Sequence, residues 1–172
     1  MKRSVKVTIT LATVILVAAM IFIFSSQSGQ DSSKLSGTIT EWVLSRLIPG
    51  FSEMTHKQRL PYLKQWGLII RKAAHFSEFA LLAITLTFYL RYRLEGRRPQ
   101  FIALCAWIAA TLYACTDELH QMFVDSRGPA VTDVMIDSVG ALTGAIIGTA
   151  VMALWLRHKY RAVDHQGPRM NA

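Results

Sequence analysis

The sequence predicts an all-α, polytopic membrane protein with four transmembrane helices. Of its 172 residues, 52% are apolar, a high share for a soluble chain. Most of these residues fall in four long stretches, each with roughly the 20 residues, about 30 Å of helix, that a hydrocarbon core requires. We therefore expect a single membrane domain over residues 1–172. The predicted spans are about 7–24, 68–90, 101–123 and 131–156.

The distribution of basic residues predicts the orientation. Of the 19 Lys and Arg, 11 border the spans on the side of the two termini, and the other 8 are spread over outer segments about twice as long in total. By the positive-inside rule, the N-terminus and the C-terminus are both cytoplasmic. The net charge of +8 does not indicate nucleic acid, because no basic patch is interleaved with aromatic residues on a soluble surface. We expect no nucleic-acid partner.

The first apolar stretch is expected to remain in the protein. Its apolar run of about 18 residues exceeds the usual core of a signal peptide, and no clear small-x-small cleavage site follows it.

Cys105 and Cys115 both lie inside the third stretch. We expect them to be small buried side chains without a disulfide.

The outer segment, residues 25–67, is the longest polar part of the chain. Its opening Ser/Gly/Gln run, residues 25–33, is predicted to be a loop. Residues 37–48 then form a short amphipathic helix with Trp42 on its apolar face. This helix either lies on the outer leaflet or packs against the bundle. A second amphipathic stretch leads into the second span, with an interruption expected near Pro61.

The remaining connections are short. Residues 92–100 form the inner turn and residues 124–130 the outer turn, so consecutive spans are antiparallel neighbours. Gly140, Gly144 and Gly148 recur every fourth residue along the fourth span. Such a line of glycines predicts a groove into which another helix packs closely.

Ionisable residues cluster toward the outer ends of three spans. The second span pairs a histidine and a glutamate three residues apart, the third carries Asp117, Glu118, His120 and Gln121 near its outer end, and the fourth begins with two aspartates one turn apart. Helical rise places representative members roughly 18 to 29 Å from the inner boundary, in the outer half of the bilayer or its interface. A charged side chain at this depth costs free energy when it faces lipid, so we expect these side chains to face the interior of the bundle. The predicted outer pocket comprises Lys72, His75, Glu78, Asp117, Glu118, His120, Gln121, Arg127, Asp133 and Asp137.

Three ordered motifs contain these residues: Arg71-Lys72-x-x-His75-Phe76-x-Glu78, Asp117-Glu118-x-His120-Gln121-x-Phe123, and Arg127 followed by Asp133-Val134-x-x-Asp137-x-x-Gly140-x-x-x-Gly144. They resemble the motifs of the VanZ-like family of small bacterial membrane proteins, and the likeness extends from about Ile9 to Trp155. The resemblance implies a bacterial cytoplasmic membrane protein associated with resistance to the glycopeptide teicoplanin, with no firmly attached enzymatic reaction. Where many relatives have Pro-Gly before the arginine, this chain has Asp125-Ser126, which affects the expected shape of the outer turn.

The favoured function is non-enzymatic. An outer pocket would bind a lipid-linked cell-wall precursor or a lipophilic antibiotic such as a glycopeptide, beside the membrane lipid. Arg127, with Lys72 or Arg71 nearby, would supply donors to phosphate or carboxylate oxygens, and Gln121 would add amide hydrogen bonds. We predict no cofactor and no metal.

Three alternatives stay open. A metal-dependent or acid–base hydrolase acting on an envelope lipid would use the same histidines and carboxylates, although no H-E-x-x-H or familiar hydrolase signature is present. A purely structural network would have Arg127 or Lys72 neutralising the carboxylates. A proton-coupled transporter is disfavoured, because four spans without repeats and apolar inner halves give no path. The ligand, any reaction and the oligomeric state are not determined by the sequence.

Overall fold

The computed structural model describes residues 2–128 and 130–164, with side chains up to residue 158. This part of the chain is helical, with five α-helices and no strand. The elements are α1 (Arg3–Ser25), α2 (Gly29–Leu47), a short 3-10 helix (Phe51–Glu53), α3 (His56–Arg93), α4 (Pro99–Gln121) and α5 (Val131–Asp164).

Four helices, α1, α3, α4 and α5, are long and apolar enough to cross a membrane. The predicted fold class, an all-helical protein with four spans, is thereby confirmed. The helix α4 ends at Gln121, two residues before the predicted end of the third span. With 38 residues, α3 is about 57 Å long, nearly twice the thickness of a hydrocarbon core. The first part of α3 therefore extends beyond its apolar segment.

The prediction of a loop over residues 25–33 was wrong beyond Ser28. The hydroxyl of Ser28 accepts a hydrogen bond from the backbone N–H of Asp31 at 3.1 Å and caps the start of α2. The carboxylate of Asp31 also lies in the first turn, where negative charge stabilises the exposed N–H groups. The Ser/Gly run is thus a helix start, and α2 is longer than the predicted segment 37–48.

The interruption expected near Pro61 was also wrong, because α3 continues through this residue. Pro61 lies near the beginning of the helix, where its missing N–H leaves only the carbonyl of Lys57 without a helical partner. The start of α3 is secured by Gln58, whose side chain accepts a hydrogen bond from the backbone N–H of Thr55 at 2.8 Å.

The helix α2 packs against α3 as an antiparallel hairpin. Near its start, Ser33 accepts a hydrogen bond from Arg71 of α3 at 2.7 Å. Further along α2, Glu41 pairs with Arg59 at 2.9 Å. Of the two positions expected for the outer amphipathic segment, the structure favours packing against the bundle, and it leaves Trp42 exposed on the outside of the hairpin.

The closest helix packing is between α3 and α5, which run parallel. A Cβ atom added at Gly140 would collide with the carbonyl oxygen of Phe76, and one added at Gly144 with that of Ala80. At Gly148 the nearest atom, the Cβ of Thr87, would be 3.1 Å away. The predicted groove is confirmed, and α3 fills it. The rest of the core is largely built from small residues, among them Ala106, Ala110, Ala114, Ala141 and Ala145.

The bundle has two contrasting ends. We call one of them the polar end. It is formed by the C-terminal ends of α1 and α4, the N-terminal end of α5, residues 71–78 of α3 and the loop 122–130. The basic end is the opposite one, where Arg3 of α1 pairs with Glu95 at 3.2 Å and donates hydrogen bonds to the carbonyls of Tyr92 and Arg93.

Candidate functional site

Asp117 connects two helices at the polar end. Its Oδ2 atom accepts a hydrogen bond from the hydroxyl of Ser25 on α1 at 2.8 Å and from the amide of Gln121 on α4 at 2.9 Å. Only 4% of Asp117 is exposed, and Ser25 is fully buried. Since the donors come from both helices, this carboxylate fixes the end of α1 against α4.

Two further contacts hold α5 and the loop before it. The Oε1 atom of Glu118 accepts a hydrogen bond from the backbone N–H of Ala130 at 2.5 Å, one residue before α5 begins. The ammonium of Lys72 forms an ion pair with Asp133 at 2.7 Å, which joins α3 to the first turn of α5. Lys72 therefore neutralises a carboxylate, as the structural alternative predicts, but its ion pair in the described part of the chain is with Asp133 alone.

The loop between α4 and α5 also contacts the start of α2. The backbone N–H of Gly29 donates a hydrogen bond to the carbonyl of Asp125 at 3.0 Å, and a Cβ at position 29 would collide with the carbonyl of Ser126. Ser126 has a φ of +59°, in the left-handed region that favours glycine. The turn thus adopts a glycine-like conformation although its residue is serine.

The two histidines of the polar end have different surroundings. His75 lies on α3 with its Nδ1 atom 3.8 Å from the carboxylate of Glu78, one turn away. His120 lies on α4, where its ring packs on Phe22 with centroids 4.6 Å apart and its Nε2 atom is 3.1 Å from the hydroxyl of Ser26. His120 is therefore part of the contact between α1 and α4.

Several buried polar atoms at this end have no hydrogen-bond partner among the described residues. They are Nε of Arg71, Nδ1 of His75, Oδ1 of Asp117 and Oδ1 of Asp137. Asp137 is only 2% exposed and makes no hydrogen bond or ion pair with any described residue. Buried polar atoms are nearly always paired in folded proteins. All four exceptions in the described part of the chain lie at the polar end.

Arg127 is the central cation of the site. Its side chain is partly buried, and its guanidinium makes no hydrogen bond or ion pair with any described residue. Burial lowers the pKa of Arg127, and the nearby charge of Arg71 lowers it further, whereas the carboxylates of Asp117, Glu118 and Glu78 raise it. An arginine remains protonated under these influences, so the site contains a fixed positive charge available to an anion.

Two neighbouring cavities open at the polar end. The apolar cavity, about 210 Å³, lies between α1, α2 and α3 and is lined chiefly by Phe24, Leu35, Ile39, Ile70 and Ala74, with Glu78 at its polar side. The polar cavity, about 190 Å³, lies between α3, the loop and α5 and is lined by Lys72, Gln121, Ser126 and Asp133, among others. Two arginines and a histidine line both cavities: Arg71, Arg127 and His75. We call these three residues the cationic junction, after the two arginines.

The structure brings six of the ten predicted pocket residues to the cavity walls: Lys72, His75, Glu78, Gln121, Arg127 and Asp133. The other four, Asp117, Glu118, His120 and Asp137, lie at the same end but line neither cavity. The described residues contain no group of three His, Cys, Asp or Glu side chains that could hold a metal ion.

Arg71 was missing from the predicted pocket, although it lines both cavities. The signal for it was in the sequence, because positions 71, 75 and 78 are spaced four and three residues apart and so share one face of α3. Lys72 was chosen instead, and it lies on the neighbouring face toward Asp133.

The fold and the site define a helical membrane protein with a charged site at one end of a four-span bundle. A protein-family model described as VanZ/LLP1 matches residues 10–154, which is most of the chain. The chain belongs to the VanZ-like family, and it is a membrane protein of a kind associated with glycopeptide resistance. No curated protein and no solved structure matches it.

Proposed function

We propose that this protein binds an anionic amphiphile of the bacterial cell envelope at its polar end and thereby lowers sensitivity to glycopeptides. The ligand is a lipid-linked cell-wall precursor or a lipophilic glycopeptide. The observation that carries the proposal is the guanidinium of Arg127, which is partly buried, unpaired among the described residues, and placed between an apolar and a polar cavity. A charge-assisted hydrogen bond to such a group contributes about 1.5–3 kcal/mol.

The apolar surroundings support an amphiphilic ligand rather than a soluble anion. The apolar cavity adjoins the junction directly, and Phe24 and Leu35 on its wall are also exposed on the outside of the helices. A ligand with an aliphatic chain would bury that chain beside these residues while its anionic group reaches Arg127.

The proposal includes a location in the cytoplasmic membrane with both termini in the cytoplasm. The supporting observation is the density of Lys and Arg at the basic end and beyond it, which the positive-inside rule associates with the cytoplasm. The polar end then faces the outer leaflet, where both candidate ligands occur. Reporter fusions to each terminus test this orientation, and a periplasmic or external C-terminus would contradict it.

The experiment compares Arg127→Gln and Glu118→Ala with the parent protein at equal membrane levels. Resistance to glycopeptides, measured as the inhibitory concentration in a sensitive host, should fall to that of cells without the protein for both variants. Arg46→Gln is the matched control, because Arg46 is an exposed arginine that stacks on Trp42 and lies in neither cavity. Unchanged resistance in Arg127→Gln would contradict the proposal. Loss of the folded variant would indicate a structural role.

A second candidate is an acid–base hydrolase of an envelope lipid. The observation in its favour is His75, whose Nδ1 atom has no hydrogen-bond partner, lies 3.8 Å from Glu78, and belongs to a residue on the wall of both cavities. A histidine with a carboxylate nearby can act as a general base. Incubation of purified protein with a lipid diphosphate, followed by phosphate release in the parent and in His75→Gln, tests this function. Release that depends on His75 would establish it.

A further inference from the structure

The cationic junction brings donors from two separate elements to one place. Arg71 and His75 come from one face of α3, and Arg127 comes from the loop between α4 and α5. Two of the nitrogen atoms, Nε of Arg71 and Nδ1 of His75, are buried without a hydrogen-bond partner among the described residues. A carboxylate has two oxygens and is satisfied by one guanidinium, whereas a phosphate presents three or more acceptor atoms. The convergence of three donor side chains therefore favours phosphate.

The apolar cavity is bordered by apolar side chains that are also exposed on the helix surface. Three of its lining residues are substantially exposed, Phe24 at 40%, Leu35 at 49% and Ile39 at 45%. They lie on α1 and α2, the two helices that border the cavity opposite α3. An aliphatic chain can therefore pass from the bilayer into this cavity between α1 and α2 while its anionic group stays at the junction.

The size of the cavities limits what can be enclosed. The polar cavity, of about 190 Å³, admits a phosphate or diphosphate group with a few further atoms. A whole glycopeptide, or the sugar and peptide portion of a wall precursor, must remain outside. The protein would therefore recognise the phosphate and the part of the aliphatic chain next to it.

We propose that the ligand class is a lipid phosphate, in which an aliphatic chain is esterified directly to a phosphate or diphosphate group. The chain occupies the apolar cavity, the phosphate contacts Arg71, His75 and Arg127, and any further headgroup extends through the polar cavity. This inference rests on the proposed function and narrows its ligand to the lipid rather than the antibiotic.

Four related probes separate the two parts of such a ligand. Farnesyl phosphate carries both chain and phosphate, farnesoate replaces the phosphate with a carboxylate, farnesol has no charge, and inorganic phosphate has no chain. Binding of each to the full-length protein in nanodiscs of uncharged lipid is measured by native mass spectrometry and competition. We expect farnesyl phosphate to bind at least tenfold more tightly than each of the other three.

Two variants test the two cavities. Arg127→Gln removes a junction donor, and Ala74→Phe fills the apolar cavity; each should weaken farnesyl phosphate binding at least tenfold. Ala73→Phe is the matched control, because Ala73 is the exposed neighbour on α3 and lines neither cavity. Its binding should equal that of the parent. Thermal unfolding of each variant shows whether it is folded.

The outcomes distinguish this inference from the broader function. If farnesoate binds as tightly as farnesyl phosphate, or if Ala74→Phe binds normally, the lipid-phosphate inference fails while an Arg127-dependent anion site remains. Tight binding of inorganic phosphate alone would indicate a soluble anion and also overturn it. If Arg127→Gln binds every anionic amphiphile as the parent does, the proposed function itself fails.

Discussion

The polar end and the apolar body of the bundle differ in how completely their buried polar atoms are satisfied. In the apolar body, hydroxyl groups bond to backbone carbonyls; Thr87 donates to the carbonyl of Ala83 on its own helix, and Tyr113 donates to that of Ala18 on α1, both at 2.8 Å. At the polar end a buried carboxylate takes part in the bonds between helices, since Asp117 accepts from Ser25. The unpartnered buried atoms of the described chain all lie there.

This difference separates the part of the bundle that stabilises the fold from the part where the proposed binding would occur. Close contact of α3 and α5 through glycines needs no polar group and gives van der Waals packing along most of the span. A buried donor or acceptor without a partner costs about 1–3 kcal/mol, which an apolar replacement would avoid. Under the proposed function, the unpartnered atoms at the polar end would meet a ligand, and the body of the bundle would support them by packing. The following substitutions test that division, from the largest expected effect to the smallest.

Gly144→Leu should eliminate the folded protein. Its side chain would collide with the backbone of α3 at Ala80, and backbone cannot move aside as a side chain can. Gly144→Ala should lower the free energy of unfolding by about 1–3 kcal/mol. Yield of monodisperse protein and thermal unfolding in detergent provide the measurement. Gly37→Ala is the control, because nothing lies within 4 Å of an added Cβ there. A normal yield of Gly144→Leu would contradict close packing.

Asp117→Ala should reduce stability by about 1–3 kcal/mol, because it leaves the buried donors of Ser25 and Gln121 without their acceptor. Asp117→Asn retains an acceptor oxygen and should cost less. Arg127→Gln should change stability by no more than about 0.5 kcal/mol, since its side chain makes no hydrogen bond or ion pair with described residues. Thermal unfolding of the three variants side by side measures this. Equal stability of Asp117→Ala and the parent would show that Asp117 does not hold α1.

Ser126→Gly should raise stability by about 0.5–1 kcal/mol. A non-glycine residue in the left-handed region is strained by about 1–2 kcal/mol, and part of the relief is offset by the greater freedom of glycine in the unfolded chain. Ser126→Ala keeps the Cβ and should give no gain. Thermal unfolding again detects the change, and a lower melting temperature for Ser126→Gly would contradict the assigned strain.

Arg3→Ala, at the basic end, should have the smallest effect. The Arg3–Glu95 pair is largely exposed, and such pairs contribute at most about 1 kcal/mol, less at high salt. Farnesyl phosphate binding should be unchanged, because the substitution lies at the opposite end of the bundle. Unfolding at low and high salt, with Glu95→Gln for comparison, provides the test. A loss of farnesyl phosphate binding in Arg3→Ala would show that the basic end and the polar end do not act independently.

Much of the fold was predictable because lipid imposes strict requirements on a chain. A helix must be long and apolar to cross a membrane, so the four spans and the glycine groove could be located from residue type and spacing. The error at Ser25–Ser33 came from treating serines and glycine as a loop, when Ser28 and Asp31 cap a helix. The error at Pro61 came from overlooking that proline is tolerated near a helix start.

For the candidate site, the sequence by itself determined which charged residues lie at one end of the bundle, because position along a membrane helix follows directly from counting residues. The tertiary structure alone decided which of them pair and which line the cavities. Lys72 and Arg71 are adjacent in the chain, yet one is paired with Asp133 while the other faces both cavities. That outcome depends on the rotation of α3 against α2 and α5, which is set by packing between helices and not by any single segment.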